Sequence, residues 1–142
     1  MADKFSPEER SRIMARVKGR DTKPEKIVRS LLHELGYRFR LHRKDLPGKP
    51  DIVLPKHKKA IYVHGCFWHS HPGCRRATRP TTNVEFWNKK IDGNVARDRA
   101  AQNALELLGW EHLIVWQCET RDLNTLAATL TSFLKGKNDE RT

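Results

Sequence analysis

The 142-residue sequence predicts one α/β domain in which helices cover both faces of a small mixed sheet. Two observations support this fold class. Helix and strand patterns alternate along the chain in the order ααβββαβα, and no repeat or low-complexity linker divides them. The length also suits a single core of a few layers. We therefore treat residues 1–142 as one domain, with residues 137–142 as a tail.

The first predicted helix, about residues 7–18, begins with the Ser-Pro-Glu-Glu sequence of residues 6–9, a helix-start signature. Its apolar side chains are few: Ile13, Met14 and Val17. We expect so small a stripe to dock weakly, so that the segment 1–20 becomes ordered when it meets a partner.

The second predicted helix, about residues 23–35, follows another such signature, Thr-Lys-Pro-Glu at residues 22–25. Its apolar residues, from Ile27 to Leu35, share one face, and Gly36 ends the pattern. This helix is predicted to pack on the core.

Strands are predicted at residues 37–42, 51–54, 60–63 and 111–116. The first alternates apolar with basic residues, and the others are short apolar runs; we expect the last to be central in the sheet. Between the third and fourth strands, Asn83 begins a helical region that the pattern breaks near Gly93 and restarts at Asn94. A final helix is predicted at about residues 123–135.

The chain is strongly basic, with a formal net charge of +11, and residues 1–60 carry 17 basic and 8 acidic side chains. Such a charge excess attracts a phosphate backbone through counterion release; a merely soluble cationic protein is the alternative. No apolar run approaches the length of a membrane span, and the N-terminal residues have no signal-peptide pattern. We expect an intracellular protein with nucleic acid as its partner.

Residues 64–74, His-Gly-Cys-Phe-Trp-His-Ser-His-Pro-Gly-Cys, combine metal-ligating residues with two adjacent aromatics. Cys66, His71 and Cys74 supply three ligands, and the strand ending near residue 116 could bring Cys118 to them. Four such ligands would form a Cys3His zinc site. The alternative is two buried thiols and a surface histidine. An odd number of cysteines, three, argues against a disulfide framework.

Several motifs resemble those of the very-short-patch (Vsr) mismatch repair endonucleases, and the likeness runs from about residue 12 to residue 118. The motifs are Pro-Gly-Lys-Pro-Asp at 47–51, His-Gly-Cys-Phe-Trp-His at 64–69, Glu-Phe-Trp at 85–87, Asn-Val-Ala-Arg-Asp-Arg at 94–99 and Gly-Trp-Glu-His-Leu-Ile-Val-Trp-Gln-Cys at 109–118. The resemblance implies a restriction-endonuclease-like fold and nicking of one DNA strand beside a T·G mismatch, the product of 5-methylcytosine deamination.

Asp51 opens a short apolar strand and is our candidate Mg²⁺ ligand, because phosphodiester hydrolysis needs a polarised phosphate. A plain turn aspartate is the alternative. The following strand has no acidic-x-Lys pattern, which nucleases of this fold generally carry. The resemblance implies that the backbone carbonyl of Val63 is a further Mg²⁺ ligand. Some relatives have threonine at this position.

The general base must then be another residue, and His69 is the candidate. Asp98 is predicted to orient His69; by spacing alone it would be an exposed helix residue paired with a cation. His64 and Glu25 also match active-site positions of the family, although Glu25 fits a helix-capping role equally well. The resemblance assigns His71 to Zn²⁺, which would stiffen the loop that carries His69.

Phe67, Trp68 and Trp87 are the aromatics predicted to contact DNA, because apolar wedges unstack a mismatched step most easily. Met14 and Val17 match positions that could press from the opposite groove. The alternative for the loop aromatics is a small core around zinc. Trp110 and Trp116 are predicted to be core residues.

Three functions remain open on the sequence: a mismatch-nicking endonuclease, a restriction- or homing-type nuclease that cuts matched duplex, and a zinc-stabilised DNA-binding module without catalysis. We favour the first. The expected partner is double-stranded DNA with a T·G mismatch, and the expected cofactors are catalytic Mg²⁺ and structural Zn²⁺. We also expect a monomer that works alongside a DNA cytosine methyltransferase at the nucleoid in the cytoplasm.

Overall fold

The computed structural model describes residues 22–140, with side chains to residue 135. This part contains three α-helices and four β-strands. In chain order they are α1 (Lys23–Glu34), β1 (Arg40–Leu41), β2 (Ile52–Leu54), β3 (Lys59–His64), α2 (Val84–Leu107), β4 (Glu111–Trp116) and α3 (Leu123–Glu140). The helix predicted at about 7–18, with Met14 and Val17, lies outside the described residues.

The sheet is mixed, as predicted, with the strand order β1-β2-β3-β4. β1, β2 and β3 are antiparallel neighbours, whereas β3 and β4 run parallel, with His64 opposite Trp116 at the end of the shared ladder. The prediction that residues 111–116 form a central strand was wrong, because β4 lies at an edge of the sheet formed by the described residues.

Helices cover both faces of the sheet, which confirms the predicted α/β arrangement. On one face, α1 and α3 pack against alternate strand residues in a buried cluster of Val28, Leu32, Ile52, Leu54, Ile61, Val115, Leu126, Leu130 and Leu134. On the other, Leu105 of α2 packs in a second cluster with Leu46, Val53, Ala60 and Tyr62. Burial of these side chains is the main force that holds the layers together.

The hydrogen bonds at the start of α1 are those its sequence predicts. Thr22 accepts a hydrogen bond from the Glu25 amide, and the Glu25 carboxylate reaches back to the Thr22 backbone, which forms a capping box. Gly36, with a φ of +87°, follows the helix in the left-handed conformation that favours glycine.

Three predicted segments differ from the observed elements. The predicted strand 37–42 is reduced to Arg40–Leu41, because its partner β2 is short and His42 adopts a φ of +51°. The predicted break near Gly93 does not occur; α2 is continuous from Val84 to Leu107. The final helix extends to Glu140 rather than ending at residue 135. No described helix is both long and apolar enough to cross a bilayer.

Candidate active site and metal centre

The parallel ladder of β3 and β4 brings the three cysteines together. Cys66 and Cys118 each lie two residues beyond the His64–Trp116 pair, so both strands deliver a thiol to the same end of the sheet. One ligand atom from each of Cys66, His71, Cys74 and Cys118 lies within 4.8 Å of every other. The predicted return of Cys118 to the loop is therefore confirmed.

This Cys3His cluster fits a metal ion in its chemistry. The loop folds back on itself, since the His71 amide donates to the Cys66 carbonyl at 2.9 Å. The sulfur of Cys118 lies 3.5 Å from Nδ1 of His71. Burial and the neighbouring thiols of Cys66 and Cys74 raise the pKa of Cys118 to about 12. A cation among these sulfurs would favour their thiolate forms, which are the forms that bind Zn²⁺.

His69 and Asp98 form a close polar pair. Nδ1 of His69 lies 2.6 Å from Oδ2 of Asp98, and about a quarter of each side chain is exposed, 28% and 23% respectively. The loop after β3 supplies His69 and α2 supplies Asp98. Because Asp98 occupies the Nδ1 side of the ring, Nε2 is the nitrogen left to act on a substrate.

His64 stacks against His69, with ring centroids 3.8 Å apart and planes 9° apart. The side chain is buried, and this burial, together with the charge of a protonated His69, lowers the pKa of His64 to about 4. His64 is therefore a neutral imidazole near neutral pH. Its stacked ring limits the orientations that His69 can adopt.

Asp51 lies at the start of β2, where it faces β3. Its Oδ2 accepts a hydrogen bond from the Val63 amide at 2.7 Å. A strand residue directs its N–H and C=O to the same edge, so the Val63 carbonyl also lies on the Asp51 side. Burial raises the pKa of Asp51 to about 7, and the nearby charge of Glu25 adds to this effect. Burial therefore destabilises the ionised form of this carboxylate, and a bound cation would stabilise it.

Glu25 and His42 complete a cluster with Asp51, in which one ligand atom from each lies within 4.8 Å of the others. Glu25 is buried at 2% exposure and pairs with Arg29 at 3.2 Å. Arg29 also lies 3.1 Å from Nε2 of His42. The sequence predicted Glu25 as an active-site residue but did not predict Arg29 or His42. An i to i+4 spacing between Glu25 and Arg29 was the one available signal.

The aromatic side chains form a small cluster beside the metal loop. Phe67 lies 5.2 Å from Trp68 and 5.4 Å from Trp87, measured between ring centroids. Trp87 is only 7% exposed, whereas Phe67 and Trp68 are partly exposed. Asn94 of α2 donates a hydrogen bond to the Trp68 carbonyl at 2.9 Å. Trp87 was predicted to contact DNA, but at this exposure it instead packs against the two loop aromatics and supports them.

The two remaining tryptophans differ in their surroundings. Trp110 packs against the second apolar cluster, as expected of a core residue. Trp116 instead stacks on His71, with ring centroids 4.2 Å apart and planes 9° apart. Trp116, at the end of β4, therefore packs against the loop that carries the Cys3His cluster.

Comparisons with known proteins agree with this geometry. The model of the family described as "DNA mismatch endonuclease Vsr" matches residues 2–76. Type II nicking enzyme V.XorIIP of Xanthomonas oryzae pv. oryzae is 52% identical over 134 residues, which are 94% of this chain and 98% of the relative. DNA mismatch endonuclease Vsr of Escherichia coli strain K12 is 45% identical over 121 residues, 85% of this chain and 77% of the relative. Type II nicking enzyme V.NmeAIP of Neisseria meningitidis serogroup A is 40% identical over 122 residues, with 86% of each chain covered.

Proposed function

The chain belongs to the Vsr family of DNA mismatch endonucleases, and we propose that it nicks one DNA strand beside a T·G mismatch in a Mg²⁺-dependent reaction. The observation that best supports this chemistry is the placement of the partly buried Asp51 and the His69–Asp98 pair at the same end of β3. Two of the relatives are named nicking enzymes, which supports cleavage of one strand rather than both.

Asp51 and the backbone carbonyl of Val63 are the proposed Mg²⁺ ligands. Both present oxygen, the donor that Mg²⁺ prefers, and the Val63 amide holds the Asp51 carboxylate in place. When bound, the ion polarises the scissile phosphate and stabilises the leaving oxygen. Glu25, neutralised in part by Arg29, adds negative potential behind the site.

His69 is the proposed general base. With Nδ1 directed to Asp98, its Nε2 is available to take a proton from the attacking water. Asp98 fixes the tautomer and stabilises the imidazolium that forms. The buried, neutral ring of His64 stacks on His69 and limits its rotation. His64 is thus a positioning residue, and so is Glu25.

The loop aromatics Phe67 and Trp68 are proposed to insert between base pairs at the mismatch. Unstacking a step costs a few kcal/mol and is easiest at a mismatched pair, so insertion favours T·G over matched DNA. Trp87 supports the two rings from below, and Asn94 anchors the loop backbone. Met14 and Val17 remain proposed contacts from the opposite groove.

Zn²⁺ is the proposed occupant of the Cys66, His71, Cys74 and Cys118 cluster. Four protein ligands would close the coordination shell, which is typical of structural rather than catalytic zinc. The ion would hold the loop between β3 and α2 against the end of β4. His69 and the inserting aromatics lie within that loop, so its rigidity bears directly on both catalysis and recognition.

T·G mismatches of this origin arise where cytosine has been methylated, so we further propose that the enzyme works with a DNA cytosine methyltransferase at the nucleoid. We propose that it acts as a monomer, because the proposed groups for both the metal and the base come from one chain. Size measurement in solution by light scattering tests the last point.

One assay tests the function: zinc-loaded protein, Mg²⁺ and duplexes that differ only by a T·G mismatch. We expect a nick in one strand of the mismatched duplex. A cut in matched DNA would favour a restriction-type enzyme, and binding without cleavage would favour a DNA-binding module. Asp51→Ala should abolish nicking and leave mismatch binding nearly intact. Nicking by this variant within a few-fold of wild type would contradict the role of Asp51.

A further inference from the structure

A cavity of about 300 Å³ opens beside the His69–Asp98 pair, between β3, α2 and the turn before Asp51. Its lining combines the apolar surfaces of Tyr62 and Ala101 with polar groups, among them the Asp98 carboxylate. It includes two positively charged side chains and two side-chain amides, from Lys49, Arg97, Asn94 and Gln102. The catalytic pair forms part of its rim, so a ligand in the cavity would lie next to the bond that is cut.

The turn that carries Lys49 is held tightly. Gly48 has a φ of +73°, and a Cβ added there would lie 2.7 Å from the Cβ of Ala101 and 3.0 Å from the Tyr62 ring. The Tyr62 hydroxyl donates to the Pro47 carbonyl at 2.7 Å. Close packing against α2 and β3 therefore fixes the position of this turn.

Lys49 itself adopts a φ of +48°, which is uncommon for a residue with a side chain. Such a backbone conformation persists where surrounding contacts enforce it, and it is concentrated at functional sites. This conformation leaves Lys49 exposed in the lining of the cavity, two residues before Asp51.

Arg97 supplies the second positive charge. Its guanidinium donates to Oδ1 of Asn94 and lies along the helix, 3.3 Å from the position that a Cβ on Gly93 would take. Gly93 therefore leaves room for this side chain. Because Asn94 also donates a hydrogen bond to the Trp68 carbonyl, it connects Arg97 to the loop that carries the aromatic residues.

We propose that this cavity binds a backbone phosphate next to the scissile one, with Lys49 and Arg97 as its cationic ligands. The proposal rests on the DNA-nicking function and adds a second anchoring point on the cleaved strand. A phosphate anion matches the two cations and the amide donors of the lining. Two held phosphates would fix the strand relative to His69, since proximity and orientation contribute strongly to rate.

The test is a binding scan with duplexes that each carry one uncharged methylphosphonate near the mismatch. Dissociation constants are measured without Mg²⁺, so that no cleavage occurs. For wild type, neutralising the bound phosphate should weaken binding about tenfold, the scale of one charge-assisted hydrogen bond. In Lys49→Met the loss at the same position should fall to about threefold, because one of the two partner charges is already gone and only Arg97 remains.

Lys56→Met is the matched control. It removes the same charge, but it lies in the turn between β2 and β3, at the other end of these strands from Asp51. It should show the wild-type tenfold loss at that phosphate. Lys49→Asn serves as a second variant, because asparagine tolerates a positive φ, and it should behave as Lys49→Met does.

The proposal would be overturned if each methylphosphonate weakened binding by the same factor in wild type and in both Lys49 variants. A reduced loss at that phosphate in Lys56→Met would also overturn it, because the effect would then come from the protein's overall charge rather than from Lys49. The nicking function is tested separately, by cleavage of the T·G duplex. If the protein nicks this duplex but Lys49→Met changes the loss at no phosphate position, only the proposed phosphate site is refuted.

Discussion

Replacing Asp98 by Asn removes one charge and little else from the His69 pair. The asparagine has nearly the same shape and can still hydrogen bond to Nδ1, which lies 2.6 Å from the carboxylate in the native protein. Two effects follow. The imidazolium that forms during catalysis loses its counter-charge, and an amide N–H facing Nδ1 favours the tautomer whose proton is on Nε2.

The size of the charge effect follows from the distance and the exposure. Two unit charges about 4 Å apart interact by about 4 kcal/mol at an effective dielectric constant of about 20. Solvent reaches about a quarter of each side chain, 28% and 23%, so we reduce the range to about 2–4 kcal/mol. This corresponds to roughly a 30- to 1000-fold slower chemical step.

Single-turnover nicking of a T·G duplex with enzyme in excess measures this step directly. The dissociation constant for the duplex should be nearly unchanged, since Asp98 is not a proposed DNA contact. Asp92→Asn is the matched control on the same helix; its side chain is 66% exposed and pairs with Arg79 at 2.8 Å. Its nicking rate should stay within a few-fold of wild type. An Asp98→Asn rate within threefold of wild type, or an equal slowing in both variants, would refute the pairing argument.

Three further predictions follow from the same geometry. Cys118→Ser should lower the melting temperature and release zinc, because such sites contribute directly to folding; full zinc content in this variant would remove Cys118 from the site. Trp68→Ala should weaken T·G binding by about 1–3 kcal/mol, with much less effect on matched duplex. Equal losses on both duplexes would make Trp68 a packing residue of the loop. Without Mg²⁺, the contribution of Asp51 to the free energy of unfolding should fall as pH rises from about 4 to about 7, because its raised pKa makes ionisation costlier in the folded state. The lowered pKa of His64 acts in the opposite direction over this range, so the measurement is the difference between wild type and Asp51→Asn. In a series of denaturant titrations the variant should gain stability relative to wild type as pH rises, and a constant difference would contradict the assigned burial effect.

The sequence predicted the parts of the fold that depend on local apolar runs. The strand Glu111–Trp116 was located at its observed bounds, because an apolar run is bounded there by a glycine turn and a polar segment. That strand also accounts for the return of Cys118, since parallel pairing with β3 places both strand ends together. The metal cluster could thus be predicted once one long-range pairing was assumed.

The break predicted near Gly93 shows where such reasoning fails. Glycine costs a helix only about 1 kcal/mol relative to alanine, and the buried side chains of Ile91 and Leu105 anchor the helix on both sides. Polar Asn94 and Asp98 also interrupt the apolar pattern, because their side chains face the active site. Polar functional residues on the inward face of a helix interrupt its apolar periodicity, so the helix is predicted as two segments.

Arg29 and His42 escaped prediction for a different reason. Their contact joins a helix to the residue just beyond a two-residue strand, and no local pattern encodes such a meeting. The left-handed backbone of His42, which turns its chain toward Asp51, is likewise a product of tertiary packing. Arg29 and His42 are brought together by the packing of the whole domain, and the spacing of residues along the sequence does not reveal it.

The uninterrupted helix α2 also constrains how the gene can change. Trp87, Ile91, Asn94, Asp98, Ala101 and Leu105 recur every three or four residues, so one helix face carries the packing support, the loop anchor and the partner of His69. A one-residue insertion between Trp87 and Asp98 would rotate everything downstream by about 100° and shift it by about 1.5 Å. A substitution on this helix therefore affects one of these contacts at a time, whereas an insertion or deletion would displace the groups for recognition and cleavage together.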